Sequence, residues 1–297
     1  MIVKSASLLG AVALFCTACA APSQGGSLDR ISSVGSGLGR SADQDDARPT
    51  VKVVRDGQSW TAEFEFDRDA QAWAFVRSEV IQGVRRPWRL EQWRVVTPGV
   101  VLDRINGRDL LRSTDGGPVP RRVQISLEPR SVDIEAGYGS LAFTNGAVAL
   151  PTTQFDIFPT RLEAVRGLPE DLNGIELGGR MPLVIWRDKA GPVLLDAERV
   201  QEARTQDRTA YVLFGQVETL EGADMTVLMD PALPSWISRQ VGSFAPQASA
   251  YYARRLGPGQ TDRPSVMISW RGPTERVTSM GGSVVPGVIV MSFEGSG

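Results

Sequence analysis

Between residues 50 and 151 apolar and polar side chains take turns along the chain. Val51 and Val53 flank Lys52, and Trp60, Ala62, Phe64 and Phe66 alternate with Thr61, Glu63 and Glu65. A period of two sends one set to each face of a strand, so this stretch is committed to sheet and Glu63 and Glu65 fall on the solvent side. Trp73 and Phe75 continue the pattern, and further strands are expected over 88–96, 100–105, 123–127 and 141–150. Turns such as Asn106-Gly107 and Asp115-Gly116-Gly117-Pro118 separate them. Many short strands at this spacing predict a mainly β fold with an antiparallel β-sandwich body. No self-similar period is present, which argues against a propeller or solenoid.

Beyond Pro151 the pattern is mixed. A short helix is expected at 162–172, strands at 181–186 and 193–195, a helical stretch around 197–205, and strands at 211–217 and 225–228. Pro234-Ser235 opens a different periodicity. Ile237, Val241, Phe244, Ala248 and Tyr251 or Tyr252 recur every three or four residues, one face of an amphipathic helix capped by Ser235. Gly242 and Pro246 lie inside it, and an interior proline costs about 3 kcal/mol unless the helix kinks or restarts, here near Ser243. Leu256-Gly257-Pro258 should stop it. Strands then follow at 266–270 and 284–293, the second apolar on both faces and therefore buried. The expected division is 1–19 signal peptide, 20–48 flexible linker, 49–230 β-rich domain, and 231–297 a smaller α+β segment with one long helix and edge strands.

The first 19 residues have the layout of an export signal: Lys4 in a short basic start, an apolar run over 8–15, then Cys16-Thr17-Ala18-Cys19. The run is too short to span a bilayer. Small residues directly before Cys19 resemble a bacterial lipoprotein cleavage box, which would make Cys19 the lipid-bearing first residue and the membrane a partner through that lipid. Ala18-Cys19-Ala20 also fits an ordinary A-x-A cleavage site without lipid. The lipoprotein layout is preferred because a cysteine closing the apolar run has no structural task. Either way the chain is exported, to the periplasm or outer membrane of a bacterium. Residues 21–48 carry almost no large apolar side chain and read as a tether. Gly35-Ser36-Gly37-Leu38-Gly39 lies within it, with no strand before and no Lys-Ser/Thr pair after, so it is not a nucleotide loop.

The chain has no histidine, which removes the Ser-His-Asp triad, the Cys-His pair and any imidazole zinc site. Both cysteines lie in the signal region, leaving the body no disulfide framework and no thiolate metal site. Thirty-two basic against 34 acidic residues offer no cationic surplus for nucleic acid. Only Lys4, Lys52 and Lys189 are lysines. Lys189, in a polar turn, reads as a solvated loop residue rather than a general base or Schiff-base amine. A carboxylate pair could support glycosidase or aspartic-protease chemistry, but Asp115 sits in a hairpin turn without an Asp-Thr/Ser-Gly signature. Asp224 and Asp230 bracket a strand, Asp230-Pro231 marking its end. Trp73, Trp88 and Trp93 interleave with Arg85, Arg86, Arg89 and Arg94. They can be read as a carbohydrate- or peptide-binding face or as ordinary sandwich packing.

The C-terminal order carries a resemblance. A helix ending Tyr251-Tyr252-Ala253-Arg254-Arg255-Leu256-Gly257 leads to the strand Pro264-Ser265-Val266-Met267-Ile268-Ser269-Trp270. The loop Met280-Gly281-Gly282 and the strand Pro286-Gly287-Val288-Ile289-Val290-Met291 follow. This resembles the gluzincin metallopeptidases of the aminopeptidase N and glycyl-aminopeptidase type, in which a β-rich domain precedes such a segment and a His-Glu-x-x-His zinc helix comes next. The resemblance implies that Met280, Gly281 and Gly282 form a substrate loop. It departs from the family at Gly281-Gly282-Ser283-Val284-Val285, which has no glutamate for a substrate amino terminus. The sequence stops before any zinc ligand, so no catalytic residue, metal or cofactor is expected unless a further segment supplies one. Zinc hydrolysis needs three protein ligands and a water. Two readings stand: the N-terminal portion of a gluzincin-like peptidase, truncated or kept for binding and not catalytic alone, or a cell-envelope binding or scaffold lipoprotein. The first reading is compatible with a peptide or protein ligand, and the second leaves the ligand open.

Overall fold

The computed structural model of the protein describes residues 47–169, 171–172, 174–221, 225–256, 264–275 and 279–295, all within one compact unit that begins at Asp43. The expected signal segment with Cys19, the tether up to residue 46, Asp224, Gly257 and Pro258 lie outside the described residues.

Four sheets build the body. The first runs β14 (Ala203–Thr205), β11 (Leu183–Asp188), β1 (Thr50–Asp56), β2 (Ser59–Glu65), β7 (Arg122–Leu127) and β4 (Trp93–Val95). The second runs β10 (Ile157–Thr160), β3 (Ala72–Phe75), β6 (Arg108–Ser113) and β5 (Val100–Ile105). The third runs β13 (Glu198–Val200), β12 (Val193–Leu195), β15 (Tyr211–Phe214), β9 (Val148–Pro151) and β8 (Leu141–Ala142). The fourth runs β16 (Glu218–Glu221), β17 (Thr226–Met229), β18 (Ser265–Pro273), β20 (Val288–Gly295) and β19 (Ser279–Val285).

Alternation explains how they stack. Val51, Val53, Trp60, Ala62 and Phe64 face a central core shared with the second and third sheets, while Lys52 and Glu63 pair across the outer face at 3.6 Å. On β9 and β15 both faces are apolar because each packs a core of its own. Val148, Leu150, Val212 and Phe214 point to the central core, and Ala149, Tyr211 and Leu213 point to a second one, shared with Leu228, Met267, Val288 and Val290 of the fourth sheet. The third sheet is therefore an inner layer, and the fourth sheet lies beyond it. A helix, α3 (Ser235–Leu256), connects β17 to the parallel strand β18 and covers part of the far face through Ile237, Val241 and Ala245.

The fold is mainly β with several antiparallel sheets, as expected; β1 pairs β11 in parallel within the body, and β18 pairs both β17 and β20 in parallel in the C-terminal segment. Other expectations need correction. Residues 88–96 open with a helical turn, α1 (Trp88–Gln92), before β4. The helix expected near 197–205 is a pair of strands: Asp196 and Ala197, both with positive φ (52° and 63°), form the two-residue loop joining β12 to β13. Only Leu162–Val165 is helical in the 162–172 window. The apolar run 284–293 is a hairpin turned at Pro286-Gly287, with Val285 opposite Val288 and Gly287 at φ 76°. The long helix runs through Pro246 with no restart at Ser243, and Phe244 and Tyr251 stand in solvent rather than on its packing face. The boundary after Asp230 falls between two adjacent strands of one sheet, so the fourth sheet already begins at Glu218.

Candidate functional site

Where the third and fourth sheets meet, a cleft of about 340 Å³ opens between the loop 132–141 and the hairpin β19–β20. Strand β19 is the last strand of its sheet, so one row of its backbone groups has no neighbouring strand among the described residues. Gly281 lies over the cleft: a Cβ there would sit 3.2 Å from Ser292 Oγ and 3.6 Å from Asp133 Oδ1. A Cβ on Gly282 would meet the Val290 carbonyl at 2.5 Å, so this position must stay bare for the hairpin to close.

Three side chains set the polarity of the cleft. The Arg271 guanidinium donates to both carboxylate oxygens of Asp133, each at 2.6 Å, joining the loop 132–141 to β18. That fork holds the Asp133 carboxyl below its ordinary range and raises Arg271. The Tyr211 hydroxyl donates to the Gly139 carbonyl at 3.0 Å and lies 3.5 Å from Ser283 Oγ. Burial pushes its phenol up to about 12, so it stays a neutral donor. A second carboxylate anchors the same junction from below. Buried Asp230 accepts hydrogen bonds from the backbone N–H groups of Thr144, Ala232 and Trp270 and from the Thr144 hydroxyl, tying a hairpin of the third sheet to the start of the crossover helix.

The structure gathers the three residues of the expected substrate loop, Met280, Gly281 and Gly282, along the rim of this cleft. The three tryptophans are a correction. Trp73, Trp88 and Trp93 are all buried in the central core, so they form no exposed stacking face. Arg89, one of the interleaved arginines, is buried with them. It lies 4.1 Å over Phe75 and 4.6 Å over Trp88, and donates to Asp109 at 2.7 Å. Sequence reasoning did not single out Asp133, Arg271 or Tyr211, which share no local motif and meet only through sheet stacking. Lys189 pairs with Asp56 at 2.7 Å on the surface, and Asp115 closes its own turn by accepting from Ser113 and Gly117. Asp230 does mark a strand end, as a structural anchor.

Zinc does not fit this site. Among the described residues no group of three or more His, Cys, Asp or Glu is placed to hold a metal, and the sequence contains no histidine. No step is therefore assigned to a metal.

No family model matches the sequence, and no curated protein matches it. Among solved structures the fold is similar to native yeast leukotriene A4 hydrolase at 9% identity and TM-score 0.37, over 83% of this chain and 40% of that chain. The native enzyme from Saccharomyces cerevisiae (9%, TM-score 0.36, 82% and 40%) and the yeast enzyme with bestatin (9%, TM-score 0.36, 82% and 39%) give similar values. The likeness is coarse, and the chain spans about 40% of the length of these structures.

Proposed function

We propose that the chain is a peptidase-derived binding body: the exported, β-rich N-terminal region of a gluzincin-like peptidase, holding an extended peptide without cleaving it. One observation carries this reading. The glycine-bearing strand that gives the resemblance is also, among the described residues, the edge of its sheet, and it borders a polar cleft. An extended chain can add to such an edge through main-chain hydrogen bonds, with side-chain pockets setting preference. Bare Gly281 leaves room for that approach, and the Asp133–Arg271 fork and the neutral Tyr211 hydroxyl offer charged and polar partners at its side. Hydrolysis is not expected, because among the described residues the cleft offers no imidazole base and no group of three or more His, Cys, Asp or Glu placed to hold a metal.

The test is fluorescence anisotropy with a library of labelled extended peptides, comparing the native chain with Gly281→Leu, whose side chain would fill the cleft. The reading expects saturable binding, lost in Gly281→Leu with the melting temperature kept, and intact peptide recovered afterwards. Equal binding by the folded variant, or none by the native chain, would refute it.

A further inference from the structure

Eleven large apolar side chains stand exposed among the described residues, and six of them lie on α3 and the β19–β20 hairpin. Trp236, Phe244 and Tyr251 belong to α3; Met280 and Val284 belong to β19, and Ile289 to β20. Each is between 38% and 66% exposed. At 100° per residue the three aromatics of α3 fall within about 80° of one another, one flank of the helix.

The direction of that flank follows from two contacts. Gly242, on the opposite flank, faces Leu220 of β16, whose Cδ1 would lie 3.7 Å from an added Cβ. The aromatic flank therefore turns toward β20 and β19. There Val285, Val288 and Val290 point into the core below, while Met291 and Phe293 point up against the helix. By alternation Ile289 shares their face, and its cross-strand partner Val284 and the Phe293 partner Met280 continue it to the sheet edge. The result is one apolar surface, half helix and half sheet, larger than scattered exposed residues would make.

Its charge is as uneven as its polarity. Although acids outnumber bases in the whole chain, α3 and the three strands β18, β19 and β20 carry Arg239, Arg254, Arg255 and Arg271 against the single acid Glu294. Arg271 is neutralised by Asp133, which leaves the helix arginines unmatched by any acid on α3 itself. Arg255 lies 5.4 Å from the Tyr251 ring, at the end of the aromatic stripe. Aromatic and aliphatic side chains flanked by arginine suit the boundary between acyl chains and anionic headgroups, where rings sit at headgroup level and guanidinium groups meet phosphate. The repulsion between arginines on facing copies disfavours a second copy of the chain as the occupant.

We infer that the face formed by α3 and the β19–β20 hairpin docks on a bilayer that carries anionic headgroups. The inference does not rest on the peptide reading of the cleft or on any lipid on Cys19, although Met280 belongs both to this face and to the cleft rim.

One residue makes the test direct. Six of the seven tryptophans are buried, and Trp236 is the exposed one. The full chain with Cys19→Ser, which can carry no lipid there, is mixed with vesicles of phosphatidylglycerol and phosphatidylcholine in equal parts, or of phosphatidylcholine alone. Iodide quenching of tryptophan and flotation are read together. Anionic vesicles should float the protein and shield Trp236 from iodide, and raised salt should reverse both. Arg254→Gln with Arg255→Gln should weaken partition by about tenfold or more, and Phe244→Ser should weaken it with unchanged melting. Unchanged quenching and no flotation with anionic vesicles would overturn the inference. Equal binding to neutral vesicles would overturn its electrostatic half, and binding that survives both sets of variants would place the contact elsewhere.

Discussion

The two ends of the molecule spend their aromatic residues in opposite ways. In the sandwich, Phe64, Phe75, Trp88, Trp93, Phe155 and Trp186 pack edge to face, tilted or stacked with ring centroids 5.2–6.5 Å apart, and even an arginine is enclosed among them. On the fourth sheet, Trp236, Phe244 and Tyr251 make no such closed cluster and stand in water. The difference separates a self-sufficient core from a surface whose apolar area is stabilising only when something covers it. Between them lies the cleft, fastened by the Asp133–Arg271 fork and by Asp230.

Substitutions can break this contrast, the largest effect being expected in the sandwich. Asp109 and Arg89 are both fully buried, and Asp109 also accepts from Arg104 at 2.8 Å. Asp109→Asn leaves the Arg89 charge enclosed with a neutral partner, and should cost about 3–5 kcal/mol in urea unfolding. Asp230→Ala comes next. It strands three backbone N–H groups at the junction of the third and fourth sheets, a loss of about 3 kcal/mol by the same measurement.

The pH dependence should differ in sign between the regions. Burial raises the Asp156 carboxyl of the sandwich to about 7, with Arg77 opposing and Asp207 adding to the shift. A raised folded value means that this group favours folding below the unfolded carboxyl value of about 4, and that the gain is lost as pH climbs to about 7. Asp133 behaves oppositely. Its lowered value contributes stability above the unfolded carboxyl value, lost as pH falls through the folded one. Melting followed from acid to neutral pH should therefore lose its downward slope in Asp156→Asn, and lose its acid-side rise in Asp133→Asn. The smallest stability effect belongs to the open face: Phe244→Ser should change unfolding by no more than about 0.5 kcal/mol.

How far the sequence revealed this molecule depended on whether the deciding interaction was local. The alternation over 50–66 correctly identified β1 and β2, and Asn106-Gly107 correctly marked the turn that ends β5, because period and turn chemistry act over a few residues, whereas β6 beyond that turn was not foreseen. Asp196-Ala197 turned the chain without glycine, so its hairpin passed for helix. Nothing local marked Arg89 as enclosed, because its carboxylate partner is 20 positions away and its aromatic cage comes from three elements. The rim of the cleft was legible as a glycine-bearing segment. Its polar lining was not, since Asp133, Tyr211 and Arg271 are brought together only by one sheet stacking on another.

Amide hydrogen exchange across residues 279–285, with and without a saturating extended peptide, tests the binding role most directly. If the free edge of β19 receives the peptide strand, its outward amides should exchange markedly more slowly in the complex while those of β16, at the other margin of the sheet, stay unchanged. Protection confined to another surface, with β19 exchanging as before, would contradict the account.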